Sequence, residues 1–381
     1  MNEKEISELR RRFRADRSNI THIHGCYVNE AREIVSEFDQ SLAMMDEEET
    51  ERFFALLKKC ISGSLGKNLM NMDFTTQQVV DSDEHRLLMK LRSSKLEDQD
   101  AVHEIFQRIS EAVSLNCHYL ILLAYDTYDV YFSAKDGQRM DDASSEVYSY
   151  ILCGVYPIKM TKPALSFFVS ENEFHNLSVD RLICPPEMAF LFPAFDDRCA
   201  NLYSSLYYTK NPAETHPEFI EAVFHREAPM SAQEQKETFR SILCDSLSEE
   251  CSLDVIKNVH TQLREMEEEH KAKKEPEPLM LSRSNVSQVL QNCGVDQEHI
   301  TAFEEKYTED FGEDTDVSPR NLVDLRQLEV RTPNVVIRVD PDRSDLIETR
   351  IIDGVKYLLI RADEGVEVNG ASICISQPQE P

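Results

Sequence analysis

Residues 118–132 read HYLILLAYDTYDVYF and residues 146–160 read EVYSYILCGVYPIKM. Both are dense in Tyr, Ile, Leu and Val, the types that suit a pleated, covered surface. The first reads as a strand, or two, running into AKDGQRM (134–140), where Asp136-Gly137 suits a tight turn. The second has the dense apolar run expected when both faces of a strand are covered. Two such segments call for a sheet with helices packed against it.

Outward from this pair, ALSFFVS (164–170) and EMAFLFPAF (187–195) read as further short strands, interrupted by Pro185-Pro186 and by Pro193. Upstream, helices are expected at about 82–92 and about 98–114, the second turning Val102, Ile105, Phe106 and Ile109 inward. Asp46, with Glu49 three residues on, opens another helix, which carries Phe53, Phe54 and Leu57 and stops at Gly63. The tract from 30 to 114 therefore reads as helical. It follows a strand candidate, NITHIHGCYVNE (19–30), and a short helix over residues 3–14 with Ile6, Leu9 and Phe13 on one side.

Beyond Pro217, helices are expected at about 217–226, 231–247 and 252–272, the last running into the charged stretch REMEEEHKAKKEPEPLM (264–280). Helices at about 284–292 and 296–308 follow, then three short strands, with Asp353-Gly354 as a hairpin turn. The expected fold class is α+β. A larger domain, 1–275, holds a mixed or antiparallel sheet flanked by helices, and a smaller α+β domain with a β-hairpin occupies 276–381.

The 381 residues carry 41 Lys and Arg against 70 Asp and Glu, a net charge of −29. Such a chain repels nucleic acid over most of its surface, because phosphate binding needs cations that displace counterions. The N-terminus lacks an apolar signal core, and YLILLAY (119–125) is too short to span a bilayer. Ten cysteines without a CxxC pair suit reduced thiols. A cytoplasmic protein with no membrane association is expected. One local reversal of charge stands out: residues 10–17 hold Arg10, Arg11, Arg12, Arg14 and Arg17 against Asp16. It reads as an anion or partner contact, with 296–316 and its nine Asp and Glu as a complementary surface.

Motifs for chemistry are sparse. His22, His24 and Cys26 fall two apart, so a strand places them on one face, and imidazole with thiolate is zinc chemistry. They are the metal candidates; the remaining histidines offer no HExxH and no finger spacing. SGSLGKN (62–68) has two residues between its glycines where a Walker loop needs four, and Asn68 stands where Ser or Thr would bind magnesium. It reads as a helix stop and turn. No GxSxG elbow is present, and DPDRSD (340–345) lacks the glycine and terminal Glu of a calcium loop.

The opening MNEKEISELRRRFRADRSNITHIHGCYVNE, with FFALLKKCISGSLGKNL and EHRLLMKLRSSKLED behind it, resembles domain-of-unknown-function family 4317, a bacterial family. That resemblance runs over most of the chain and implies no catalytic residue. ITAFEEKYTEDFGED, NLVDLRQLE, NVVIRVDPD and VKYLLIRAD are similar, in their order, to the tail of the bacterial 37-kilodalton nucleoid-associated family. This second resemblance implies nucleoid association without enzyme chemistry. The expected function is a nonenzymatic binding or assembly protein without a cofactor. Its partner is a second copy or another protein, and any direct nucleic-acid contact runs through the arginine cluster. The alternative is a metal-dependent enzyme using the His22, His24 and Cys26 face.

Overall fold

The computed structural model describes residues 1–130, 146–177, 180–275, 277–313, 315–363 and 365–373. The expected Asp136-Gly137 turn lies outside them. Among the described residues no helix is long and apolar enough to cross a membrane. Contacts divide the chain into two units, Met1–Glu234 with Pro276–Pro278, and Gln235–Glu275 with Leu279–Pro381. The expected division at 275 keeps residues 235–275 with the first unit; the contacts group them with the second.

The first unit begins with α1 (Glu3–Arg10), β1 (His22–Val28), β2 (Ile34–Ser41), α2 (Glu47–Lys58) and β3 (Leu69–Asp73). Three helices follow, α3 (Thr76–Asp81), α4 (Asp83–Ser93) and α5 (Gln99–Ala112), then β4 (Tyr119–Val130) and β5 (Glu146–Met160). Shorter strands come next: β6 (Ala164–Phe168), β7 (Glu173–Leu177), β8 (Arg181–Ile183), β9 (Met188–Phe192), β10 (Ala194–Asp196), β11 (Cys199–Asn201) and β12 (Ser204–Thr209). Helix α6 (Pro217–Phe224) follows.

An eight-stranded sheet in the order β2-β1-β4-β5-β9-β12-β3, with β8 added on β5, is the frame of this unit. Its pairs are antiparallel, and β4 and β5 match over their full common length, Tyr119 opposite Pro157 and Val130 opposite Glu146. Alternation along each strand divides the side chains between two cores. Ile151, Cys153 and Val155 of β5 and Phe190 and Phe192 of β9 face α4, α5 and α6. Tyr150, Leu152 and Tyr156, with Ala189 and Leu191, face α1 and α2. Both faces are dry, which is why these strands read as apolar runs rather than as an alternation.

Two glycines mark close approaches in the sheet. A Cβ on Gly154 would lie 2.9 Å from Cys60 Sγ and 2.8 Å from the Tyr156 ring, whose hydroxyl is 2.9 Å from that sulfur. Phe38 of β2 lies over Gly25 of β1, its register partner, where a Cβ would come within 2.0 Å of the ring.

The tract expected to be helical contains two strands, β2 and β3, and this is a correction. IVSEFDQS of β2 is exposed from residue 35 to residue 40, because it is the sheet edge, and its charged residues suit an unpaired border. LMNMD of β3 is only five residues long and is defined by pairing with β12, not by its own pattern. The Asp46 helix forms as expected: Asp46 accepts from Glu49 N at 2.7 Å and the Glu49 carboxylate accepts from Asp46 N at 3.2 Å. Gly63 follows at φ +87°, so SGSLGKN is the turn between α2 and β3.

The second unit contains α7 (Ala232–Leu247, from Gln235 on), α8 (Leu253–Lys273), α9 (Arg283–Asn292), α10 (Gln297–Asp310) and α11 (Pro319–Leu322). Phe239, Ile242, Leu263, Leu290 and Phe303 are buried, and the Glu267 carboxylate, also buried, accepts from Arg320 Nε at 2.6 Å. Three hairpins follow, β13 (Leu328–Thr332) with β14 (Val335–Val339), β15 (Ile347–Ile352) with β16 (Val355–Ile360), and β17 (Val366–Val368) with β18 (Ala371–Ile373). Asp353 and Gly354 take φ of +50° and +79° at the second turn, the two left-handed residues that a type I′ hairpin turn requires.

Candidate functional site

The arginine cluster is built on α1. Asn2 caps the helix, its side chain accepting from Lys4 N and Glu5 N at 3.1 Å, and the Glu5 carboxylate accepts from Asn2 N at 2.8 Å. Glu5 is buried, and that burial pushes its pKa up. Ile6, Leu9 and Phe13 lie in the core under α1, which fixes the register of the arginines on its outer side.

The five arginines then divide by role. Arg10 donates to the carbonyls of Ile61 and Gly63, both at 2.6 Å, and so closes the turn after α2; burial lowers its pKa. Arg12 donates to Thr127 O at 2.9 Å, lies 3.8 Å from Asp126, and stacks 4.3 Å over the Tyr128 ring. Arg14 and Arg17 are half exposed on either side of Asp16, and Arg11 is exposed.

Asp126 of β4 is 1% exposed and organises this corner. Its carboxylate accepts from Tyr150 OH at 2.7 Å, from Asn19 N and Thr127 N at 2.8 Å, and from Ser18 Oγ at 3.3 Å. Beside it, Tyr128 OH donates to Glu8, which also accepts from Arg198 at 2.8 Å. Burial raises the Tyr128 pKa, and the Glu8 carboxylate adds to the shift.

Against this wall lies a cleft of about 890 Å³, lined by Lys4, Arg11, Arg12 and Arg17 and by Glu3, Ser7, Glu8 and Tyr128. Four cations against two carboxylates reverse the sign of the chain as a whole. Arg12 is held by Thr127 and opposed by Asp126, so Lys4, Arg11 and Arg17 are the side chains able to turn toward an anionic group. Exposed cations of this kind give long-range attraction and modest selectivity.

His22, His24 and Cys26 do share one face of β1. His22 is exposed, with a ring nitrogen 3.1 Å from Thr21 Oγ1. His24 and Cys26 are buried, and Cys26 packs in the core with Ile105 and Ile109 of α5. Burial lowers the His24 pKa against the pull of Asp39, and pushes the Cys26 thiol up to about 12, with Glu37 adding to it. Same-face residues on a strand stand about 6.7 Å apart. An ion would have to draw them together against this packing.

Among the described residues, the ligating atoms that do come within 4.8 Å of one another belong to Glu187, Glu214 and His216. Glu187 lies 27 and 29 positions before the other two, which are two apart in a loop, in no motif that spacing could reveal. Strand register is what joins them: Met188 of β9 pairs with Thr209 of β12, which sets Glu187 beside the loop leaving β12. The sequence signal that existed was weak, two glutamates and a histidine next to strand ends.

No curated protein matches the chain. The model of one family, described as Domain of unknown function (DUF4317), matches residues 1–371, and with so nearly complete a match the chain belongs to that family.

Proposed function

We propose that this is a nonenzymatic binding protein that docks an acidic segment of a protein partner in the cleft beside α1. One observation carries the reading: in a chain of net charge −29, exposed Lys4, Arg11 and Arg17 gather on one concave surface against a wall that Asp126, Tyr128 and Glu8 tie together. The wall is preorganised, so docking orders only the three flexible cations.

Fluorescence anisotropy with a labelled oligoglutamate peptide and a labelled DNA duplex tests this. Peptide binding is expected at about 0.05 M salt, to weaken toward about 0.3 M, and to fall about tenfold in a Lys4→Ala/Arg11→Ala/Arg17→Ala variant. The reading fails if no anionic probe binds at low salt, or if the triple variant binds as the parent does. Nucleoid association, which the tail's resemblance implies, is the DNA arm of the same titration. There, binding of the duplex in preference to the peptide would replace the protein partner.

Self-assembly is a second reading with its own support. In the β6–β7 hairpin, Leu165, Phe167 and Phe174 share a face and are 68%, 46% and 67% exposed. A contiguous apolar face on an isolated hairpin favours covering by another surface. Light scattering of the parent and of a Phe167→Ser/Phe174→Ser variant measures it: a monomeric parent removes the reading.

A further inference from the structure

We propose that Glu187, Glu214 and His216 form a site for one divalent transition-metal ion, zinc being the ion their donors suit. Two carboxylate oxygens and an imidazole nitrogen make a three-donor set of the kind that leaves a coordination position for water. Their ligating atoms already lie within 4.8 Å of one another. Closing to the roughly 3.4 Å between donors around a tetrahedral ion takes only side-chain rotation.

The loop is held on both sides of its donors. Thr209 Oγ1 donates to Glu214 O at 2.6 Å and Tyr207 OH donates to Thr215 O at 2.8 Å. His216 takes φ 49° and ψ 66° at the cap of α6, and 11% of its side chain is exposed. Its Nε2 is buried and has no hydrogen-bond partner. A buried polar nitrogen left alone is costly, and bonding a cation through it removes that cost. Opposite it, Lys210 Nζ donates to the Glu187 carboxylate at 2.9 Å. A cation is thus already drawn to the carboxylate that the ion would use, and the ammonium competes with it.

The test uses the full chain, purified without a histidine tag and stripped with a chelator, and zinc titrated against a chromogenic chelator. One zinc per chain is expected. His216→Asn, which tolerates the left-handed backbone, and Glu214→Gln, at an exposed position, should each weaken binding at least about thirtyfold. Lys210→Gln should tighten it several-fold by removing the competing ammonium. His22→Gln/His24→Gln should leave it unchanged, and circular dichroism checks that each variant is folded. Cobalt bound in place of zinc should show visible ligand-field bands that His216→Asn abolishes. Absence of stoichiometric binding overturns the site, as does zinc affinity that survives in folded His216→Asn or is lost in His22→Gln/His24→Gln.

Discussion

Asp126 shows how one residue can hold several elements. Its buried carboxylate joins β4 to Tyr150 of β5, to the segment after α1 and to Arg12. Replacing it with alanine takes the acceptor from the Tyr150 hydroxyl and the Asn19 N–H and the counter-charge from Arg12, so Asp126→Ala should lose on the order of 3 kcal/mol, read from urea midpoints at constant slope. The buried thiols give a second residue-level expectation. Cys26 and Cys60 are both pushed up to about 12 by burial, from an ordinary value near 9. At pH 8 only about one in ten thousand of each is thiolate, so iodoacetamide followed by peptide mass mapping should modify exposed Cys199 and Cys244 and spare Cys26 and Cys60. The linkage has a definite sign. A folded pKa above the unfolded one means their contribution to stability is complete below pH 9 and is lost as pH rises toward 12. Alkaline unfolding monitored by circular dichroism should therefore begin above pH 9, with Tyr119, also raised to about 12, acting in the same direction.

At the scale of elements, β5 is one of the strands that both cores share, and Gly154 is where the α2 side meets it. Adding one methyl there presses on Cys60 Sγ and the Tyr156 ring, and Gly154→Ala should cost about 2 kcal/mol. Cys60→Ala in the same background should return part of that loss, because the two sites are in contact and do not add. The same elements show what the sequence made legible. Both β4 and β5 were readable because a strand covered on two faces needs an apolar run, and α2 because its cap signal is local and reciprocal. Edge strand β2 was not, since a border exposed to water carries IVSEFDQS with no apolar period. For the arginines, the sequence placed the charge but not its division: only tertiary contacts set Arg10 and Arg12 against protein carbonyls and leave Arg11 outside. Glu187, Glu214 and His216 were unreadable for the same reason, being joined by the β9–β12 register.

For the whole molecule, net charge couples the two proposed modes of interaction with opposite sign. Two chains of charge −29 repel each other at a distance, and salt shortens that repulsion to a Debye length of about 8 Å at 0.15 M. Docking of an acidic segment in the α1 cleft is attraction between unlike charges, so the same salt weakens it. Covering of Leu165, Phe167 and Phe174 by another copy is apolar, and screening removes the charge that opposes it. Sedimentation velocity on the chain alone, at about 0.02 M and about 0.3 M sodium chloride, should show a larger associated fraction at the higher salt. Anisotropy of the oligoglutamate peptide should fall over the same range. If self-association instead weakens with salt, its contact is ionic, and the arginine cluster of one copy meeting the acidic 297–310 helix of another becomes the contact to mutate.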